Sequence, residues 1–391
     1  MQRVKQFLPG LALLVSTLLY CLHFFVGAGH VKLITDSRAY LFMAGGGHLS
    51  APYNSRVFGP FIASLIASAL GVSVHSAFQI LTSVALLASL FLLQRLISRQ
   101  GGSVYWQAAV LLALGCAMAA TFGYTPVMVD PLLLLLTCLT VLALDRGYFL
   151  VAVTSATLAA LTKEYGLLLG LITAIVAYRQ GRRALALAGA FLPAVALLVT
   201  TLSGSASSSA GLIDWQSFVS AMFGYHISLY RFRGGSEYPK LLYMWSWSVL
   251  WPVLVIAALV VYSRLRNRIT KTKHEVGFLL MLVALPFLVL GDWGRSLLIV
   301  VPFACAVAAV HPLARNAKFA ALFAVGGLST ALARPFHSES LPPPAFMVTM
   351  TIISVASSLL IGLRILRFAR SASTSQLDLG LESPGHEVAV R

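Results

Sequence analysis

Residues 128–144 read MVDPLLLLLTCLTVLAL, and Asp145 and Arg146 follow. After Asp130 no charge interrupts the run until Asp145. A stretch of about 17–25 apolar residues is long enough to cross the hydrocarbon core of a bilayer as a helix. A helix is the economical way to do so, because lipid offers no partner to an open backbone N–H or C=O. An acid heads the run, and an acid–base pair closes it.

Working outward, comparable runs occupy 8–28, 75–95, 104–121, 148–162, 164–178, 184–202, 244–262, 276–291, 296–311, 318–333 and 344–363. The pattern predicts an all-α polytopic transmembrane helix bundle of about twelve spans. Composition agrees. Hydrophobic residues make up 59% of the 391 and charged residues 10%, where a soluble domain carries about a quarter charged. Residues 1–370 therefore read as one membrane domain. The polar segment 371–391 has no apolar face and is expected to be a disordered cytoplasmic tail. Arg3 and Lys5 before the first run could begin a signal peptide, but Gly27–Gly29 is a poor cleavage site, so a retained first helix is expected. Cys21, Cys116, Cys138 and Cys305 each lie inside an apolar run with no paired spacing, and read as small core residues.

The net charge of +16, from 28 Lys and Arg against 12 Asp and Glu, would suggest nucleic acid in a soluble protein. Here the basic residues cluster in short loops, Arg179–Arg183, Arg264–Lys273 and Arg364–Arg370. They report orientation, and after that an affinity for anionic lipid headgroups. Placing them inside puts both termini in the cytoplasm of an integral membrane protein, expected in the bacterial inner membrane. Nucleic acid is not an expected partner. Residues 57–71 break the alternation. The run is short for a span, and Pro60, Ser64, Ser68 and Gly71 recur at helical spacing, so an interfacial helix in the first outer loop is expected.

This topology gathers polar chemistry at the outer helix ends. The first outer loop carries Asp36, Arg38, Tyr40, His48, Tyr53, Asn54 and Arg56. Asp130, Lys163, Glu164, Asp292 and Arg295 lie at further outer ends. Charge inside a membrane persists where it is paired or functional. Asp36 suits a general base toward a hydroxyl acceptor, or a cap for a short helix. Arg56, Lys163 and Arg295 suit a phosphate or pyrophosphate leaving group, or pairing with Asp130, Glu164 or Asp292. Gly45–Gly47 is a turn or a set of exposed amides. No Walker A, GxGxxG, HExxH or GxSxG motif is present, so cytoplasmic nucleotide chemistry has no support. No cofactor or metal site is indicated, with a divalent metal left open.

In this order the motifs resemble the GT-C superfamily of membrane glycosyltransferases, of the mannosyltransferase and aminoarabinose-transferase kind. The marks are Thr35-Asp36-Ser37-Arg38-Ala39-Tyr40, Tyr53-Asn54-Ser55-Arg56 before Pro60, Val129-Asp130-Pro131, Thr162-Lys163-Glu164-Tyr165-Gly166 and Gly291-Asp292-Trp293-Gly294-Arg295. Many members carry two adjacent acids in the first loop, whereas Ser37 follows Asp36 here. The resemblance implies transfer of a sugar from a polyprenyl-phosphate donor to a lipid, glycan or protein acceptor on the non-cytoplasmic face. Asp36 is then the catalytic base, and Arg56, Lys163 and Arg295 hold the donor phosphate. Arg38, Tyr40, Asp130, Glu164 and Asp292 support them, and membrane lipids surround the whole. The alternative from another class is a multi-pass transporter or lipid flippase without glycosyl transfer, which would place its charges nearer the midplane and in repeats.

Overall fold

The computed structural model describes residues 6–27, 35–49, 53–122, 127–205, 251–266, 272–291, 293–333 and 344–379. Every regular element among them is helical. In chain order these are α1 (Leu8–Gly27), α2 (Thr35–Ala44), a 3-10 turn at Tyr53–Ser55, α3 (Phe58–Leu70), α4 (Val74–Arg99), α5 (Val104–Phe122), α6 (Asp130–Arg146) and α7 (Phe149–Thr162). Then follow α8 (Gly166–Arg179), α9 (Arg183–Ser205), α10 (Trp251–Arg266), α11 (Lys273–Gly291), α12 (Trp293–Ala308), α13 (Pro312–Arg315), α14 (Ala317–Ala333) and α15 (Pro344–Leu379). Each apolar run of the sequence overlaps one of these helices; the first part of the 244–262 run, 244–250, lies outside the described residues. Length and apolar character together qualify two of them to cross a membrane, α4 and the Arg183–Thr201 part of α9. α15 continues past Arg370 to Leu379, into the segment read as a tail, and 380–391 lie outside the described residues.

The helix that opened the reading is the hub. α6 packs against α4, α7, α8, α11 and α12. Leu133, Leu134 and Val141 on it are fully buried. To one side α5 packs on α1, α4 and α14, and α15 covers α14. Trp106 of α5 stacks on Phe319 and Phe323 of α14. To the other side α7, α8 and α9 pack on one another. Cys116, Cys138 and Cys305 are buried free thiols and Cys21 is half-buried, as the core reading expects.

Side-chain bonds fix the direction of the helices. The ends of α4 and α6 meet where Arg99 Nε and Gln100 Nε2 donate to Asp145 at 2.6 and 3.0 Å. His274, at the start of α11, joins the same carboxylate at 3.1 Å. Arg264 near the end of α10 pairs with Glu275. The starts of α4 and α6 therefore lie at the opposite end of the bundle, together with the end of α7. The chain shuttles between a basic end and the end that carries Asp130.

α3 has 13 residues, about 20 Å at 1.5 Å per residue, short of the roughly 30 Å hydrocarbon core. It closes at Gly71, whose φ of 63° ends it in the left-handed region. Gly59, Pro60 and Ala63 face inward, and Phe61 and Leu65 are exposed. The inward face thus runs through Pro60, while Ser68 and Gly71 lie exposed.

Candidate functional site

Two close backbone approaches build the site. At Gly59 a Cβ would sit 2.5 Å from Cγ1 of Val129, so glycine lets the start of α3 come close to the residue preceding α6. At Gly166 a Cβ would fall 2.2 Å from the backbone of Ala159, which seats the start of α8 directly on α7. Between α7 and α8, Lys163 is fully extended, with φ −161° and ψ 139°. Successive side chains of an extended chain point to opposite sides. Lys163 and Glu164 therefore reach different partners instead of each other.

Lys163 Nζ donates to Asp130 Oδ1 at 2.8 Å. Glu164 receives Arg56 in a two-pronged pair, Nη2 to Oε1 at 2.7 Å and Nε to Oε2 at 3.0 Å. Arg56 Nη1 also donates to the Tyr40 hydroxyl at 3.2 Å. Its guanidinium lies 5.5 Å from the Tyr53 ring centre, and the Tyr53 and Tyr40 rings meet edge to face at 5.9 Å. The Tyr53 hydroxyl in turn donates to Asp36 Oδ1 at 2.6 Å. Asp36, Tyr40, Tyr53, Arg56, Asp130, Lys163 and Glu164 thus form one connected group drawn from α2, the 3-10 turn, α6 and the α7–α8 link.

The group is dry. Asp130 is 0% exposed, Tyr40 1%, Lys163 3%, Arg56 7% and Glu164 8%, while Asp36 is only half-buried. Burial pushes the Glu164 carboxyl up, but the charge and hydrogen bonds of Arg56, helped by Lys163, outweigh it and hold the group below its ordinary range. Burial disfavours the Arg56 cation, and Glu164 and Tyr40 more than restore it, so Arg56 stays charged. Tyr40 is pushed up by burial and by the nearby Asp36 and Asp130, against Arg56 and Lys163, and keeps its proton.

Of the residues singled out in the sequence, Asp36, Tyr40, Arg56, Asp130, Lys163 and Glu164 come together. Arg38 is exposed and is not part of the network among the described residues. Asp292 lies outside the described residues. Arg295 is in the first turn of α12, on the Asp130 side of the bundle, and only its backbone is described. Tyr53, one of the first-loop set without an assigned role, is the link that ties Asp36 to the rest. No group of three or more metal-ligating side chains occurs among the described residues. The pairing also changes how the cations are read: in this arrangement Arg56 and Lys163 are each neutralised by a carboxylate. Asp36 takes a hydrogen bond from the Tyr53 phenol and is partly open to its surroundings. Comparison with protein-family models, with curated proteins and with solved structures finds no match.

Proposed function

We propose that the protein is a multi-pass membrane glycosyltransferase that moves a sugar from a polyprenyl-phosphate donor to a hydroxyl acceptor on the non-cytoplasmic face. The observation that carries the reading is the convergence of Asp36 with Tyr40, Arg56, Asp130, Lys163 and Glu164 at one end of the bundle. These positions span well over a hundred residues of sequence, and no helix-capping role requires them to meet.

Membrane embedding draws support from the surface. Phe7, Leu11, Leu14, Leu18 and Leu22 form one exposed stripe down α1. α9 exposes Leu187, Phe191, Val195 and Leu198, and α15 exposes Ile352, Val355, Leu359, Leu363 and Leu366. Soluble monomers rarely show contiguous apolar patches larger than a few hundred Å², and lipid is the solvent that suits three such stripes. About twelve spans, with the basic end inside, follow from this reading.

In the proposed reaction the acceptor hydroxyl gives its proton to the Asp36 carboxylate. Its oxygen then attacks the anomeric carbon, and the bond from that carbon to the phosphate oxygen breaks. The electron pair leaves with the lipid phosphate. Arg56 commits Nε and Nη2 to Glu164 and one Nη1 hydrogen to Tyr40, so a guanidinium with five N–H donors still has hydrogens to offer a phosphate oxygen. Lys163, though paired with Asp130, and Arg295 are the other cations proposed to face the departing phosphate. Donors aimed in advance at developing charge in a dry site are the main catalytic contribution expected.

The test is Asp36→Asn, assayed for sugar transfer in membranes supplied with a polyprenyl-phosphate sugar. The amide oxygen can still accept from Tyr53, so the fold is expected to survive. Loss of the base should lower the rate by about 10²–10⁴. Near-wild-type transfer overturns the assignment. A transporter or flippase is the second reading, favoured by the mutual neutralisation of the buried charges; it predicts substrate movement without a glycosidic product.

A further inference from the structure

The turn that carries Tyr53 and Arg56 also borders a cavity of about 380 Å³. Its walls include Gly46, Gly47 and His48 after α2, Asn54 of the turn, and Phe61 and Ser64 of α3. Thr200 of α9 also lines it. No Asp, Glu, Lys or Arg lines it among the described residues, although an ion-pair network lies a few residues away along the same turn. The cavity is therefore poorly suited to a phosphate, which needs cationic donors. It offers backbone groups, a hydroxyl, an amide and an imidazole, the usual partners of an uncharged polyhydroxylated group.

Asn54 supplies the second observation. The residue is 8% exposed. Its amide nitrogen donates to the Thr201 carbonyl at 3.2 Å, which fixes which way round the amide lies. The amide oxygen is buried with no hydrogen-bond partner. A buried acceptor left unmade is costly, and native structures leave few of them. Phe61 stands at the rim of the cavity, and Leu65 follows it one turn along α3; they are 57% and 50% exposed. A chamber walled mainly by apolar side chains such as Met43, Leu49 and Val57, with a few uncharged polar groups, thus opens onto an apolar ridge.

We propose that this cavity binds the neutral, hydroxyl-bearing head of an amphipathic lipid whose hydrocarbon chain lies along Phe61 and Leu65. Ser64 and Asn54 are uncharged lining side chains available to its hydroxyls. Its role as the acceptor, presented toward Asp36, rests on the transferase reading above; the binding itself does not.

The test uses the full chain in phosphatidylcholine nanodiscs and an alkyl glucoside with a diazirine on its alkyl chain. After irradiation the adduct is mapped by peptide mass spectrometry. The expected adduct falls within residues 43–65, is competed by dodecyl maltoside, and is not competed by dodecyl phosphate at the same concentration. Ser64→Phe fills the cavity and should cut labelling at least about tenfold, a loss of roughly 1.4 kcal/mol in affinity, whereas Ser64→Ala should not. If Ser64→Phe fails to fold, Thr200→Leu in the lining replaces it with the same expected loss. Labelling spread evenly over the helices, equal competition by dodecyl phosphate, or a filled variant that labels like the wild type each overturns the proposal. The readout is occupancy and not turnover, so a failed Asp36 test leaves a positive labelling result standing, and failed labelling leaves Asp36 as a base.

Discussion

Removing the Glu164 carboxylate should be among the most damaging single changes in the bundle. Glu164→Ala deletes two charge-assisted hydrogen bonds of 2.7 and 3.0 Å and leaves Arg56 facing only the Tyr40 hydroxyl and the Tyr53 ring. The Arg56 side chain is 9% exposed, and a guanidinium cannot shed its proton to escape burial. Breaking such a pair from one side costs about 3–5 kcal/mol. Arg56→Met is milder for a definite reason. The orphaned Glu164 can take up a proton, and starting from an ordinary value of 4.5 that caps the ionisation cost at pH 7 at about 3 kcal/mol, at 1.36 kcal/mol per unit. Replacing both partners with apolar residues, as in Arg56→Met with Glu164→Leu, should restore stability to within about 1–2 kcal/mol of wild type while abolishing activity. The assay is reversible unfolding of the purified protein in mixed micelles with rising dodecyl sulfate, on all four members of the cycle. A cost below about 1 kcal/mol for Glu164→Ala would refute the argument, since that is the range of an exposed pair. So would a larger cost for Arg56→Met than for Glu164→Ala.

Three further outcomes are expected. Gly166→Ala should destabilise the protein by about 1–3 kcal/mol, because its Cβ meets the Ala159 backbone at 2.2 Å; unchanged dodecyl sulfate resistance would show that α8 can slide. Acid should weaken the fold: the carboxyls of Glu164 and of Asp145, the latter held down first by the His274 hydrogen bond, lie below their ordinary range when folded. Their stabilisation is full above the ordinary carboxylate range and fades as pH falls through the depressed values, so melting temperature should drop below about pH 4, less steeply in Asp145→Asn. Single cysteines at exposed Arg38 and Gln180, in a background without the four native ones, should react with an impermeant maleimide from opposite sides of the membrane; labelling of Gln180→Cys from outside intact cells would invert the proposed topology.

The long helices were legible because one property, a long apolar run, decides each of them, whereas the short α2 and α13 carry no such run. The edges of the long helices were legible only where hydropathy sets them. α11 starts at Lys273 and not at 276, because Thr272 and Glu275 exchange hydrogen bonds, the Thr272 amide donating to Glu275 at 3.0 Å and the Glu275 amide to the Thr272 hydroxyl at 3.3 Å. That reciprocal cap is a local polar device outside any apolar count. The site was legible as a set of residues and as cations pairing with Asp130 or Glu164, but not as which base meets which acid. Lys163 and Glu164 adjoin in sequence and invite each other as a pair, yet the extended backbone at Lys163 sends them to Asp130 and Arg56. Nothing in composition or spacing carries that dihedral. Tyr53 stayed in the background for a similar reason: its meaning lies in a 2.6 Å approach to Asp36 across a turn.

The separation of 108 residues between Arg56 and Glu164 sets a timetable for biogenesis. At about 5–20 residues per second of synthesis, Arg56 leaves the ribosome roughly 5–20 s before its counter-ion. During that interval an unpaired cation would have to avoid the hydrocarbon, and the short helix beside it, too short to cross, lets it wait at the water's edge. Arrival of the α7–α8 hairpin would then bring Glu164 to Arg56. A truncated chain ending before residue 164 should leave that arginine exposed for quality-control proteases to find, so the pair that organises the site also marks the moment at which the nascent bundle stops being a substrate for degradation.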